Sequence, residues 1–198
     1  MFAPTGERGR AMFAPTKTGR YEMQKLKNYF SYDAERFGEL REAARRVTGA
    51  YGAQNKWLDT MQEWLLIEKG MKHTSDIIHG IAHRALVYLD EFSDILHERH
   101  LMTEYPATDE LAERFEDPSD VFFAVTVTLD KTGEALAFFR EKANSLGLPE
   151  MALGAETLMM KNSREYDAVL KLWQMWDQSA SESSFDNWAL HLHDGGVQ

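Results

Sequence analysis

The stretch TSDIIHGIAHRALVYLDEFSDILH, residues 74–97, decides the fold of this chain. Ile78, Ile81, Ala85, Leu89, Phe92 and Leu96 recur at steps of three and four, laying one apolar stripe along an α-helix. Thr74 or Ser75 supplies an N-cap, and the helix is expected to end near Met102. At about 100° per residue, His79, His83, Asp90, Asp94 and His97 fall in one narrow arc that flanks the stripe. Their i, i+4 and Asp-x-x-His spacings place pairs of side chains on adjoining turns. Imidazole with carboxylate suits iron, zinc or manganese. A solvated helix flank has the same composition, so the arc reads equally as plain surface.

Upstream, Met23, Leu26, Phe30, Phe37, Leu40, Ala44 and Val47 mark an N-terminal helix over residues 21–52, which Gly49 and Gly52 are expected to break. A second helix over residues 53–72 turns Trp57, Met61, Trp64, Leu65 and Met71 inward. Glu68 occupies the inward position between Trp64 and Met71, where a buried carboxylate must be paired, protonated or metal-bound, and where a helix end near water would equally explain it. Downstream, residues 103–117 lack a periodic face, contain Pro106, and allow a short helix over residues 109–115. Asp117-Pro118 followed by Asp120 starts the next helix, with proline in the first turn and acids by the helix dipole. Its stripe is Phe122, Val125, Leu129, Thr132, Leu136, Phe139, Ala143 and Leu146, closed by Gly147. Pro149 opens another helix, aligned on Ala155, Met159, Tyr166, Val169, Leu170, Trp173 and Trp176. A serine-rich link then leads to a C-terminal segment, residues 179–198. Residues 1–20 form a tail in which Met1-Phe2-Ala3-Pro4-Thr5 recurs as Met12-Phe13-Ala14-Pro15-Thr16.

Composition bounds the function. The 198 residues include 43% hydrophobic side chains, enough for a sizeable core, and no cysteine. Disulfides, thiolate metal sites and cysteine nucleophiles are therefore excluded, and the lack of Cys is consistent with a cytoplasmic protein. A net charge of −10 argues against direct nucleic-acid binding. No apolar run approaches the roughly 18 residues of a membrane span. Phosphate-binding loops, dinucleotide fingerprints and serine-hydrolase elbows are absent.

Other polar candidates carry less. His100 sits on the apolar face near Glu104 and reads as a boundary histidine. Asp130, Glu134 and Glu141 share a side with Phe123, Val127 and Phe138, a face a subunit partner could cover. Glu156 and Asp167 flank the last long stripe. The methionines and tryptophans, Met159, Met160, Trp173, Met175 and Trp176 among them, read as core.

Two tight helix hairpins joined by one longer crossover make an all-α, antiparallel four-helix bundle of ferritin-like wiring, with an additional N-terminal helix. The resemblance covers residues 53–178. Within that superfamily the chain resembles the Dps-like mini-ferritins at Leu89-Asp90-Glu91-Phe92-Ser93-Asp94, at Tyr105-Pro106, and at the short helix expected in the crossover. Asp90 and Asp94 stand where those proteins carry an Asp-x-x-x-Glu pair. His73 and His79 are nearest to the family's histidines, which come from a neighbouring subunit. The paired Glu-x-x-His motifs of di-iron ferritins are absent, and Asp94 with His97 is the one approximation.

The resemblance implies binding, oxidation and storage of iron, or handling of another divalent metal, in a homo-oligomer. Its expected ligands are Asp90, Asp94, His79, His83 and His97, with Glu68 from the facing helix. The rival expectation is a non-catalytic helical scaffold or adaptor that docks a partner, or oligomerises, through the N-terminal helix. A mononuclear hydrolytic site would need a general base, and none is identifiable.

Overall fold

Five helices carry the stripes: α1 (Lys17–Ile67), α2 (Lys72–His97), α3 (Pro118–Ser145), α4 (Pro149–Asp177) and α5 (Glu182–Gly195). The computed structural model describes residues 17–97, 101, 105–111 and 114–195, and the side chains among these from 37 to 191. Among the described residues there is no strand, so the protein is all-helical. The chain divides into two units, Met1–Gly38 and Glu39–Gln198. In the first, residues 17–38 are helical. The second holds the rest of α1 and all of α2 to α5.

Local chemistry sets the helix ends. Gly70 turns the chain between α1 and α2 at φ 65°, a left-handed conformation open to glycine at little steric cost. Gly147 does the same between α3 and α4 at φ 70°. Asp117 caps α3 by accepting from the Ser119 amide at 2.8 Å. Asp120 returns the favour, accepting from the Asp117 amide at 3.0 Å, which completes a capping box ahead of Pro118. This start was legible in the sequence.

Side-chain ties give the order of the helices. Asn55 donates to the Ala82 carbonyl and Ser75 to the Gln62 carbonyl, tying α1 to α2. Thr132 donates to Gln54 and Lys142 to Glu39, tying α3 to α1. Arg84 donates to Glu165, and Lys161 donates to Glu91, tying α2 to α4. Asn162 donates to the Leu129 carbonyl while Phe123 meets Trp173, tying α3 to α4. In each pair the residue number falls along one helix as it rises along the other. All four neighbouring pairs are therefore antiparallel, with α1 and α4 on one diagonal and α2 and α3 on the other. Across the second diagonal Phe92 and Phe139 meet edge-on, 4.9 Å between ring centres. The core follows the α2 and α3 stripes closely: Ile78, Ile81, Phe92, Phe122, Leu129, Leu136 and Phe139 are all buried.

Four expectations need correction. Gly49 and Gly52 do not end a helix; α1 passes through both. They are where the crossover lies on α1: a Cβ on Gly49 would stand 2.7 Å from Pro106 Cγ, and one on Gly52 would stand 3.4 Å from Thr108 Oγ1. The N-terminal helix and the first bundle helix are thus one element. The short crossover helix is absent from the described residues between 105 and 115. There Lys56 donates to the Thr108 carbonyl and Trp57 to the Asp109 carbonyl, so side chains of α1 take acceptors that a helical turn would use. The inner face of α4 keeps Ala155 and Val169 of the expected stripe, with Tyr166, Trp173 and Trp176 packed on the core at partial burial, but its buried line is shifted. Leu158, Asn162, Glu165, Val169 and Leu172 are buried, whereas Met160 is 56% exposed. Finally, Glu68 lies in the turn after α1 and is exposed, not inward. His100, Glu104, His193 and the repeated Met-Phe-Ala-Pro-Thr segments lie outside the described residues or side chains.

Candidate functional site

The outer strip of α2 holds five of the six expected ligands. His79, His83, Asp90, Asp94 and His97 are all exposed, on the flank of α2 away from its buried stripe. The tight turn at Gly70 fixes the register between α1 and α2, so Asp59 faces this strip and Glu68 does not. His79 Nδ1 lies 3.3 Å from Asp59 Oδ1, and the His79 and His83 rings stand 6.3 Å apart. Asp59 and His79 are each more than half exposed. Their pairing is consequently a weak, solvent-screened one. Asp90, Asp94 and His97 continue the strip toward the far end of α2. Among the described residues no three histidines, aspartates or glutamates converge as a metal site.

The bundle centre is the other place where a ferritin-like helix bundle can hold a metal, by inward carboxylates and Glu-x-x-His pairs. Here its chemistry is different. Glu165 of α4 is the buried carboxylate, and Arg84 claims both of its oxygens, Nε to Oε1 at 2.6 Å and Nη2 to Oε2 at 2.7 Å. Tyr88 adds a hydrogen bond to Oε1 at 3.0 Å. One turn on, Lys161 donates to Glu91 at 2.7 Å. Each acid already has a cation of the protein's own. Burial, then the nearby Glu165 charge, pushes the Tyr88 hydroxyl up to about 12. Burial pushes the neighbouring Tyr51 higher still. Both phenols are therefore protonated at physiological pH. The remaining groups in this layer, Gln54, Thr132 and Asn162, are neutral. The acids of this layer are paired with the protein's own cations, and the donor set does not fit a metal centre.

A third polar cluster ties the ends together. Asp186 of α5 accepts from the His73 amide at 3.2 Å and the Thr74 amide at 2.8 Å, and from the Thr74 hydroxyl at 2.8 Å. The N-cap of α2 is therefore a residue on the last helix. Thr74 and Ser75, the caps expected locally, lie within the helix instead. Ser75 turns its hydroxyl to Gln62, donating to the side-chain oxygen at 2.8 Å.

Three acids that tie helices together were not singled out from the sequence: Asp59, Glu165 and Asp186. Glu165 left a signal, since it keeps three-and-four spacing with Leu158, Asn162, Val169 and Leu172. Asp59 was accessible through the register that a short turn imposes. Asp186 left none, because its partners lie 112 residues away or more. No family model matches the chain, and no curated protein matches it.

Proposed function

We propose that this chain is a ferritin-like bundle of the Dps-like type that works as a homo-oligomer and handles iron or a similar divalent metal on the outer strip of α2. One observation carries the reading: His79, His83, Asp90, Asp94 and His97 share one exposed helix flank, beside Asp59 on α1. A donor set that is incomplete in one copy becomes complete where a second copy brings its own acids and imidazoles against it. The wiring supports the same reading, since four antiparallel neighbours joined by a crossover between the second and third helices is the ferritin-like plan. Carboxylate and imidazole are donors that suit iron(II).

Iron(II) oxidation followed by stopped flow, with metal analysis of the purified protein, tests the proposal. Wild-type protein is expected to oxidise iron(II) faster than buffer, and the Asp90→Ala/Asp94→Ala double variant is expected to lose that activity. Unchanged oxidation in the double variant would refute the site.

The second reading, a non-catalytic scaffold or adaptor, is favoured by the paired layer at the bundle centre, which holds the helices together without metal. Light scattering separates the two. A large shell of identical copies supports the metal-handling assembly, and a monomer or dimer that does not oxidise iron supports the scaffold.

A further inference from the structure

In the same central layer two amides are each left half satisfied. Gln54 on α1 is fully buried and Asn162 on α4 is 5% exposed. Asn162 Nδ2 donates to the Leu129 carbonyl at 2.8 Å, and Gln54 Oε1 accepts from the Thr132 hydroxyl at 2.9 Å. Among the described residues the other end of each amide, Gln54 Nε2 and Asn162 Oδ1, has no partner, and neither does the buried Tyr51 hydroxyl one turn before Gln54. Both amides land on the same short segment of α3, because Leu129 and Thr132 are three residues apart and so share a face. Gly133, next in line, lets the Asn162 amide approach α3 closely: a Cβ on it would stand 3.4 Å from Asn162 Nδ2.

We infer that a buried water molecule bridges Gln54 and Asn162 in the bundle centre, linking the diagonal helices α1 and α4 through the α3 face between them. Chemistry selects water over other small ligands. The unused groups are one donor and one acceptor, and water supplies both an acceptor and a donor. Asn162 cannot be turned round to relieve the mismatch, because its oxygen would then oppose the Leu129 carbonyl. Gln54 can be turned, since Thr132 Oγ1 also reaches the Thr128 carbonyl at 3.2 Å and could accept from an amide nitrogen instead. In that arrangement both leftover groups are acceptors, and water, with two hydrogens, still serves both. No charged species suits the site: an anion would face the Asn162 oxygen, and a cation would face the Gln54 nitrogen. Buried polar groups in this state are the usual hosts of ordered water. The inference is independent of the metal reading, since neither amide belongs to the strip on α2.

A crystal structure of the full chain at a resolution that shows waters tests it directly. The expected result is a density peak within hydrogen-bonding distance of both amides. The two amides bonded directly to each other, or no peak between them, would overturn the inference. Water-proton relaxation dispersion gives a second measure in solution. Asn162→Leu is expected to hold one fewer long-lived water than wild type, and an unchanged count would also overturn it. If that variant fails to fold, the wild-type crystal structure decides alone.

Discussion

Arg84 on α2 grips Glu165 on α4 through two parallel hydrogen bonds of 2.6 and 2.7 Å, and the Glu165 side chain is only 9% exposed. The guanidinium is 45% exposed, so its charge keeps much of its hydration while it neutralises a carboxylate that has lost most of its own. Removing the cation strands the acid. Arg84→Ala is expected to destabilise the fold by about 2 kcal/mol, less than for a fully buried pair because Tyr88 still donates to Glu165. Arg84→Lys should recover only part of this, since an ammonium cannot reproduce the fork. Urea denaturation followed by circular dichroism measures both. A change in Arg84→Ala below a few tenths of a kcal/mol would contradict the pairing.

The seat of the crossover gives a test with a change of sign. Gly49→Ala drives a methyl to within 2.7 Å of the rigid Pro106 ring. The clash is expected to outweigh the roughly 1 kcal/mol that alanine gains over glycine in a helix, leaving a net loss of about 1 kcal/mol. In a Pro106→Ala background the obstructing ring atom is gone, and Gly49→Ala should become stabilising. Thermal melts of the four proteins in the cycle supply the comparison.

Asp186→Ala removes three hydrogen bonds from the start of α2 and is expected to cost about 1–2 kcal/mol, the range of a lost N-cap. The local readout is sharper than the global one. Amide hydrogens of His73 and Thr74 should exchange faster in the variant, while those of α3 change only with overall stability. Uniform acceleration across all helices would argue that Asp186 has no specific role as a cap.

Alkali should weaken the bundle through its phenols. Tyr88 is raised to about 12 by burial first and by Glu165 next, and Tyr51 is raised chiefly by burial. The folded chain therefore holds these protons more tightly than the unfolded chain does. Their contribution is complete below the ordinary tyrosine value near 10 and is lost as pH rises toward the folded values. Stability measured between pH 9 and about 12 is expected to fall, and less steeply in Tyr88→Phe. Equal slopes for the two proteins would refute the assignment to Tyr88.

Much of this architecture was readable from residue spacing, and the failures have identifiable causes. The α3 face was legible because Phe122, Leu129, Leu136 and Phe139 are large, apolar and regularly spaced, with Asp117 and Pro118 marking the start. Gly49 and Gly52 misled because glycine disfavours an isolated helix, while in a packed one it admits a close neighbour, here Pro106 and Thr108. On α4 the bulk of Met159, Trp173 and Trp176 drew the expected stripe off its true line. The positions that face the centre include Asn162 and Glu165, whose burial depends on partners from α3 and α2. Glu68 was misplaced for a related reason. Gly70 ends the first hairpin arm early and turns that carboxylate out to solvent. Of the site, the strip on α2 was visible as a periodicity, but Asp59 opposite it required the register.

The seating of the crossover on α1 bears on how copies of this protein can combine. A connection that hung free would let α3 and α4 swing out as a unit and insert into another molecule, each copy lending its second hairpin to the next. Here Pro106 and Thr108 rest against the two glycines, and Lys56 and Trp57 hold the carbonyls of Thr108 and Asp109. Exchange would have to peel that strap from its groove before any new pairing formed. The fold thus resists hairpin swapping at this connection.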